Sequence, residues 1–199
     1  MRFVYGKQDI PTWERCRDVS FLLANGLGGY LSTTAAFSVP RSDQGILIAA
    51  TKAPNVRINM VHRLSEMLRL EDRDEFLSTQ TFADGRSAED GFRNLSSFTY
   101  DYSPCWTYHV SGVRVERRCC MGWETNTAAV LYTIENLSEY PCTLEVTPAL
   151  KFAPKEEALQ RLDQKFTYRS GKITSGGYCL YMQTDARAEK RTARWNYNL

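Results

Sequence analysis

Apolar and polar positions along this chain change over short distances, and the runs they define have the length and content of strands rather than helices. Phe21-Leu22-Leu23-Ala24 is an apolar run that stops at Asn25, and Gly26, Gly28 and Gly29 follow at once. Gly45 to Thr51 is a second apolar run with β-branched residues. Trp106 to Val110 and Val113 to Cys119 flank the dipeptide Ser111-Gly112, which predicts a tight hairpin. Ala128 to Glu135 predicts a strand closed by the polar stretch Asn136 to Pro141, and Cys142 to Pro148 predicts the next. Phe166 to Arg169 and Lys172 to Thr174 flank Ser170-Gly171, and Gly177 leads into Tyr178 to Gln183.

Strands at this spacing, joined by turn-rich links, predict a mainly all-β fold, an antiparallel β-sandwich. One short helix is expected over Pro154 to Lys165, where Ala158, Leu159 and Leu162 share a face and Pro154 suits a first turn. Leu64 to Leu70 fits a short helix, yet Arg57 to Leu64 before it alternates like a strand. The polar segment Glu71 to Arg93 reads as a loop or an irregular strand pair. With no internal repeat and no low-complexity linker, one domain spanning 1–199 is expected.

The density of glycine after Asn25 is a demand on the backbone. Glycine tolerates positive φ and leaves no Cβ in the way of another segment. Asn25-Gly26 is a turn signal in its own right, and the loop suits either a plain hairpin or a close approach to a ligand or another domain.

Composition narrows the function classes. The chain has 199 residues, enough to bury roughly 70% of the surface it exposes when unfolded. Its 25 basic and 23 acidic residues are too balanced for a nucleic-acid footprint. Arg114, Arg117 and Arg118 alternate with Val113, Val115 and Glu116 and read as a solvated strand face. Six cysteines contain no C-x-x-C pair, adjacent Cys119 and Cys120 would point to opposite faces of a strand, and only two histidines are present. No metal or cofactor site is expected from that set. The N-terminus lacks an apolar leader core, and no run approaches the ~20 apolar residues of a membrane helix. A soluble cytoplasmic protein with reduced thiols is expected, with no nucleic-acid or membrane partner. The last residues, Arg191 to Leu199, carry Trp195 and Tyr197, an unusual tail that suggests a cut inside a larger protein.

No catalytic constellation stands alone. There is no G-x-S-x-G elbow and no phosphate-binding loop, and Asn25 to Tyr30 lacks the spacing of a dinucleotide fingerprint. His62 and His109 are solitary. Asp72, Asp74, Glu75, Asp84, Glu89 and Asp90 supply carboxylates of the kind glycoside hydrolysis uses in pairs, but such a polar segment is ordinarily solvated. Tyr100, Tyr102, Trp106, Tyr108 and Trp123 could stack on sugar rings, although large aromatics in a sandwich mostly fill its core.

From Asn25 to Tyr30 the chain resembles the N-terminal domain of bacterial and archaeal glycogen debranching enzymes of the amylo-α-1,6-glucosidase type. That family carries a leucine-rich strand entering T-N-G-L-G-G-Y, then a small-residue strand and an R-R-Y-H-G-L-L-V-A-A segment, whose place Arg41 to Ala50 takes here. Pro54 and Arg57 follow, and Leu64-Ser65-Glu66 is similar to the family's L-D-E. Leu95 to Phe98, Pro104 to Tyr108, Gly112 and Asn126 to Tyr132 resemble its S-F, P-x-W-x-Y, G and N-T-x-x-V-x-Y elements, and Leu144 to Pro148 its L-x-x-x-P. The resemblance runs from Phe21 to Phe152. It departs at Ser42-Asp43-Gln44, which replace R-Y-H, and at Ser65, which replaces the L-D-E aspartate.

The resemblance implies a β-sandwich set before an (α/α)6 barrel that holds the catalytic carboxylates. This chain would then be a non-catalytic domain, inactive alone. Its partners would be an α-glucan (glycogen or a starch-like oligosaccharide) and the C-terminal catalytic barrel of the same polypeptide. The residues expected to meet substrate or the second domain are Asn25, Gly26, Gly28, Gly29, Arg41, Asp43, Gln44 and Trp106, with both groups of loop residues projecting from one rim. Two alternatives are a stand-alone carbohydrate-binding module acting through Trp106 or Trp123 and a sandwich enzyme of the sugar-mutarotase type, which would need paired histidines and a carboxylate in one cleft.

Overall fold

The computed structural model describes residues 2–52, 55–82, 87–157 and 165–192. Strands β1 (Phe3–Gly6), β2 (Ser20–Ala24), β3 (Tyr30–Thr34), β4 (Gly45–Lys52) and β5 (Val56–Arg69) open the chain, with helix α1 (Trp13–Asp18) between the first two. Short β6 (Asp74–Phe76), β7 (Thr79–Thr81) and β8 (Ser87–Asp90) follow. Then come β9 (Leu95–Tyr100), β10 (Pro104–Val110), β11 (Val113–Met121), β12 (Ala128–Asn136) and β13 (Thr143–Pro154). Last are β14 (Thr167–Arg169), β15 (Lys172–Ser175) and β16 (Tyr178–Tyr181). No helix among the described residues is long and apolar enough to cross a membrane.

Two antiparallel sheets build the sandwich. One has the order β1-β9-β10-β11-β12; the other has the order β13-β5-β4-β3-β2, with β6 also on β5. Their facing side chains form one continuous cluster, including Leu31, Ile58, Met60 and Leu68 from one sheet and Phe98, Trp106, Val113 and Val115 from the other. Phe21 of β2 crosses the gap, its ring 5.8 Å from Phe98 and 5.5 Å from Trp106. Burying such rings between two sheets is the main stabilising term available to this architecture.

Local chemistry explains the hairpins. Ser111-Gly112 and Ser170-Gly171 both hold positive φ at both residues, as a two-residue turn matching strand twist requires. Along β11 the alternation buries Val113, Val115, Arg117 and Cys119 and turns Arg114, Arg118 and Cys120 outward. Cys119 and Cys120 therefore do face opposite ways.

The structure decides one open expectation and changes another. Leu64 to Leu70 belongs to the long strand β5 up to Arg69, since β13 and β6 both pair with it. Pro154, the expected helix start, is instead the final residue of β13 with Lys155 and Glu156 in the turn after it. The remaining positions of that expected helix, including Ala158, Leu159 and Leu162, lie outside the described residues. The short helix that is seen, α1, is capped by Thr12, whose hydroxyl accepts from the Arg15 amide at 3.4 Å.

Candidate functional site

The Asn25 to Gly29 segment is the turn between β2 and β3. Asn25 is fully buried and works as an internal pin. Its Oδ1 accepts from the amides of Leu27 and Gly29, both at 2.9 Å. Its Nδ2 donates to the Thr125 carbonyl at 2.9 Å and to Asn126 Oδ1 at 3.1 Å. Asn126 in turn exchanges two hydrogen bonds with the Ala50 backbone, at 2.9 and 2.8 Å. Two asparagines thus join the β2–β3 turn, β4 and the β11–β12 connection.

The glycines have separate jobs at this junction. Gly26 sits at φ +80°, and a Cβ there would lie 2.9 Å from Trp123 Cη2 and 3.0 Å from Cζ2. Gly28, at φ +91°, gives its carbonyl to Arg57 Nε at 2.6 Å. Gly29 is packed so closely that a Cβ would meet Asn25 Nδ2 at 2.7 Å and the Ile48 carbonyl at 3.0 Å. These approaches account for the glycine density of the turn within the chain itself.

Trp123 stands on the other side of Gly26, in the β11–β12 connection. It is 72% exposed, and Leu27, one residue beyond Gly26 in the facing turn, is 51% exposed. The connection is tied down by the Gly122 amide on the Thr127 carbonyl at 2.8 Å and by the Glu124 amide on the Asn25 carbonyl at 2.7 Å. Glu124 takes the left-handed conformation, φ 53°, to make that bond.

Arg41, Asp43 and Gln44 lie at the other end of the β3–β4 pairing, because Tyr30 pairs with Ile48 while Ser32 pairs with Gly45. The two groups do not share one end of the strands; the Tyr30 ring spans between them and its hydroxyl donates to the Asp43 carbonyl at 2.7 Å. Arg41 and Asp43 form an exposed ion pair at 3.4 Å. Gln44 is buried, accepts from the Arg41 amide at 3.3 Å through Oε1, and leaves its Nε2 without a partner among the described residues. Its carbonyl takes Asn59 Nδ2 at 3.1 Å, and the same Nδ2 lies 3.2 Å from His62 Nδ1. Burial, with help from Lys151 and Arg63, lowers His62 to about 4 and keeps its ring neutral at physiological pH.

Trp106 has no exposed surface. Its Nε1 donates to the Ala35 carbonyl at 3.0 Å, and its ring packs on Phe37 and Phe98, each at 5.1 Å. That placement leaves it no face for a ligand. Beside it, Arg117 corrects the expectation of a solvated arginine face. It is fully buried and paired with Glu66, and its Nη2 donates to the Tyr108 hydroxyl at 2.6 Å. Its guanidinium lies 3.4 Å from the Phe37 ring centroid and 4.4 Å from that of Trp106. The Tyr132 hydroxyl donates to the second oxygen of Glu66. Burial pushes the Glu66 carboxyl up, against the pull of Arg117 and Tyr132.

Glu89, expected among solvated carboxylates, is likewise buried. Arg63 binds it through two nitrogens at 2.8 and 2.6 Å, and the Ser65 and Ser78 hydroxyls add bonds of 2.8 and 2.6 Å. Burial opposes that charge, but Arg63 and the hydroxyls outweigh it and hold the carboxyl below its usual range. Asp84 lies outside the described residues. Burial also raises Cys16 to about 11 and Cys119 to about 12, so neither offers a thiolate near neutral pH. Among the described residues no group of three or more His, Cys, Asp or Glu is placed to hold a metal ion.

The sequence reading named Trp123 only as a ring that could stack on sugars, in the alternative of a carbohydrate-binding module, and did not include Asn126 and Arg57 among the site residues. The available signal was the polar break Glu124-Thr125-Asn126-Thr127 after an exposed-looking tryptophan, a loop with its own bonding needs.

Compared with known families, residues 20–199 match the family model described as glycogen debranching enzyme N terminal. No curated protein and no solved structure matches the chain.

Proposed function

Because this chain belongs to the glycogen debranching enzyme N-terminal family, we propose that it is the non-catalytic β-sandwich of an enzyme that hydrolyses α-1,6 branch points in glycogen or related α-glucans. The family match over residues 20–199 is the observation that carries this reading. The chemistry of the interior supports the non-catalytic part. Glycoside hydrolysis uses two carboxylates flanking an open sugar site. Glu66 and Glu89 are buried and committed to arginines. A surface cavity of about 490 Å³, walled by Lys165, Thr167, Lys172, Thr174 and Cys179 among others, carries no Asp, Glu or His among the described residues.

In this reading the sandwich braces a catalytic barrel of the same cytoplasmic polypeptide and borders its glucan groove. The face used is the end built from Gly26, Gly28, Gly29 and Asn25; the exposed Arg41–Asp43 pair is linked to it through Tyr30, while buried Gln44 supports that loop from inside. Glucose release from a branched limit dextrin tests the proposal. The natural polypeptide carrying this sequence together with a barrel should release glucose, and this chain by itself should not. Glucose release by the 199-residue chain alone would overturn it.

A further inference from the structure

We propose that Trp123 is a stacking platform for one glucose ring of an α-glucan, with Arg57 as a hydrogen-bond donor to the same chain of sugars. The proposal rests on the reading of this protein as part of an α-glucan-acting enzyme.

Four observations converge on it. The indole is 72% exposed yet not free to swing, because its benzo half rests against the backbone of Gly26, which has no side chain to displace it. The loop beneath it is fixed by the Glu124 amide on the Asn25 carbonyl at 2.7 Å and by a non-glycine residue held at φ 53°. Holding a residue there costs about 1–2 kcal/mol. An exposed tryptophan fixed at this cost gains nothing for the core, since its ring is open to water. Third, Arg57 spends only Nε on the protein, on the Gly28 carbonyl at 2.6 Å. Its two terminal nitrogens have no partner among the described residues, and they sit two residues along the same turn from Gly26. Fourth, Glu124, next to Trp123, is exposed and has no ion-pair partner among the described residues.

The ligand chemistry follows from these groups. A pyranose has an apolar C–H face and a rim of hydroxyls that both donate and accept. A braced flat ring answers the first, and a planar guanidinium with free N–H groups answers the second, with the exposed Glu124 carboxylate next to Trp123 in sequence as a further acceptor. The Asn25–Asn126 bonds hold the platform in place before any ligand arrives, which lowers the ordering cost of binding.

Titration of the 199-residue chain with maltoheptaose, followed by the NMR signal of the Trp123 indole N–H, tests the platform. The signal should shift and saturate. Trp123→Ala should weaken binding about tenfold or more, as truncation of a central aromatic contact does. Trp123→Phe should retain part of the affinity, Arg57→Gln should fall between, and Tyr102→Ala, which removes a still more exposed ring elsewhere, should change nothing. An unmoved indole signal at millimolar sugar, or full affinity in Trp123→Ala, overturns the proposal. The signal in the unaltered chain decides the matter even if a variant folds poorly. A natural polypeptide that debranches while its Trp123 signal ignores the sugar would sink the platform alone; a polypeptide that never debranches would sink the function.

Discussion

Glu66 and Arg117 bind one another across the sandwich with neither side chain reaching solvent. Glu66 comes from β5 and Arg117 from β11, so the pair links the two sheets. Breaking such a pair leaves one buried charge uncompensated, at a cost of about 3–5 kcal/mol. Glu66→Leu and Arg117→Met should each lower the unfolding free energy from urea titrations by that order. The double variant Glu66→Leu with Arg117→Met should be less destabilised than the sum of the single changes. Additive losses would show that the charges act independently.

His62 should impose a pH dependence on stability. Its folded value, about 4, lies below the usual 6.5, so the fold favours the neutral ring. That contribution is present above pH 6.5 and is lost as pH falls toward 4. The full loss is about 3 kcal/mol at 1.36 kcal/mol per unit. His62→Gln should flatten the unfolding free energy across this window, as measured by urea titrations at several pH values. An unchanged slope would assign the effect to other groups. Glu89 adds stability that is lost on further acidification, through its depressed folded value below the ordinary 4.5.

Asn25→Ala removes the acceptor for two turn amides and the donor to Asn126. The expected cost is about 3 kcal/mol, because buried donors are left without partners. Gly29→Ala forces a Cβ against Asn25, Asn126 and the Ile48 carbonyl and should destabilise comparably. Gly6→Ala, where the nearest atom would be 3.6 Å away, serves as the neutral control. Equal midpoints for the two glycine variants would contradict the packing described.

Ser170 holds φ 49° in the β14–β15 turn, a conformation asparagine adopts more readily. Ser170→Asn should raise stability by about 0.5 kcal/mol, read as a higher thermal midpoint. The same change at Ser111 should gain less, because its hydroxyl also takes Arg73 Nη2 at 2.5 Å.

The hairpins were legible in the sequence because their causes are local. Ser111-Gly112 and Ser170-Gly171 each carry the turn within two residues, and the strands on either side announce themselves by content. Arg117 was not legible. The alternation from Val113 does place it on the core face, but its partner Glu66 lies 51 residues earlier, and nothing local says that a charge there will be met. Trp106 and Trp123 show the same limit at the candidate site. Trp106 lies within β10 and Trp123 in the β11–β12 connection; what packs over each, and not its own segment, decides that one is sealed and the other open. The glycine turn was legible as a close approach, whereas the partner it approaches, a loop about a hundred residues onward, was not. Arg41 to Gln44 were legible as a polar turn, but register, a non-local property, sets them at the far end of β3.

The knot between Asn25 and Asn126 has a mechanical meaning. The turn it holds belongs to one sheet and the β11–β12 connection to the other, so at this end the two layers cannot slide past each other without breaking several short bonds together. Anything that presses on Trp123 or Leu27 therefore pushes on both layers at once, as on a clasp, and the load spreads through the whole sandwich instead of bending a single loop.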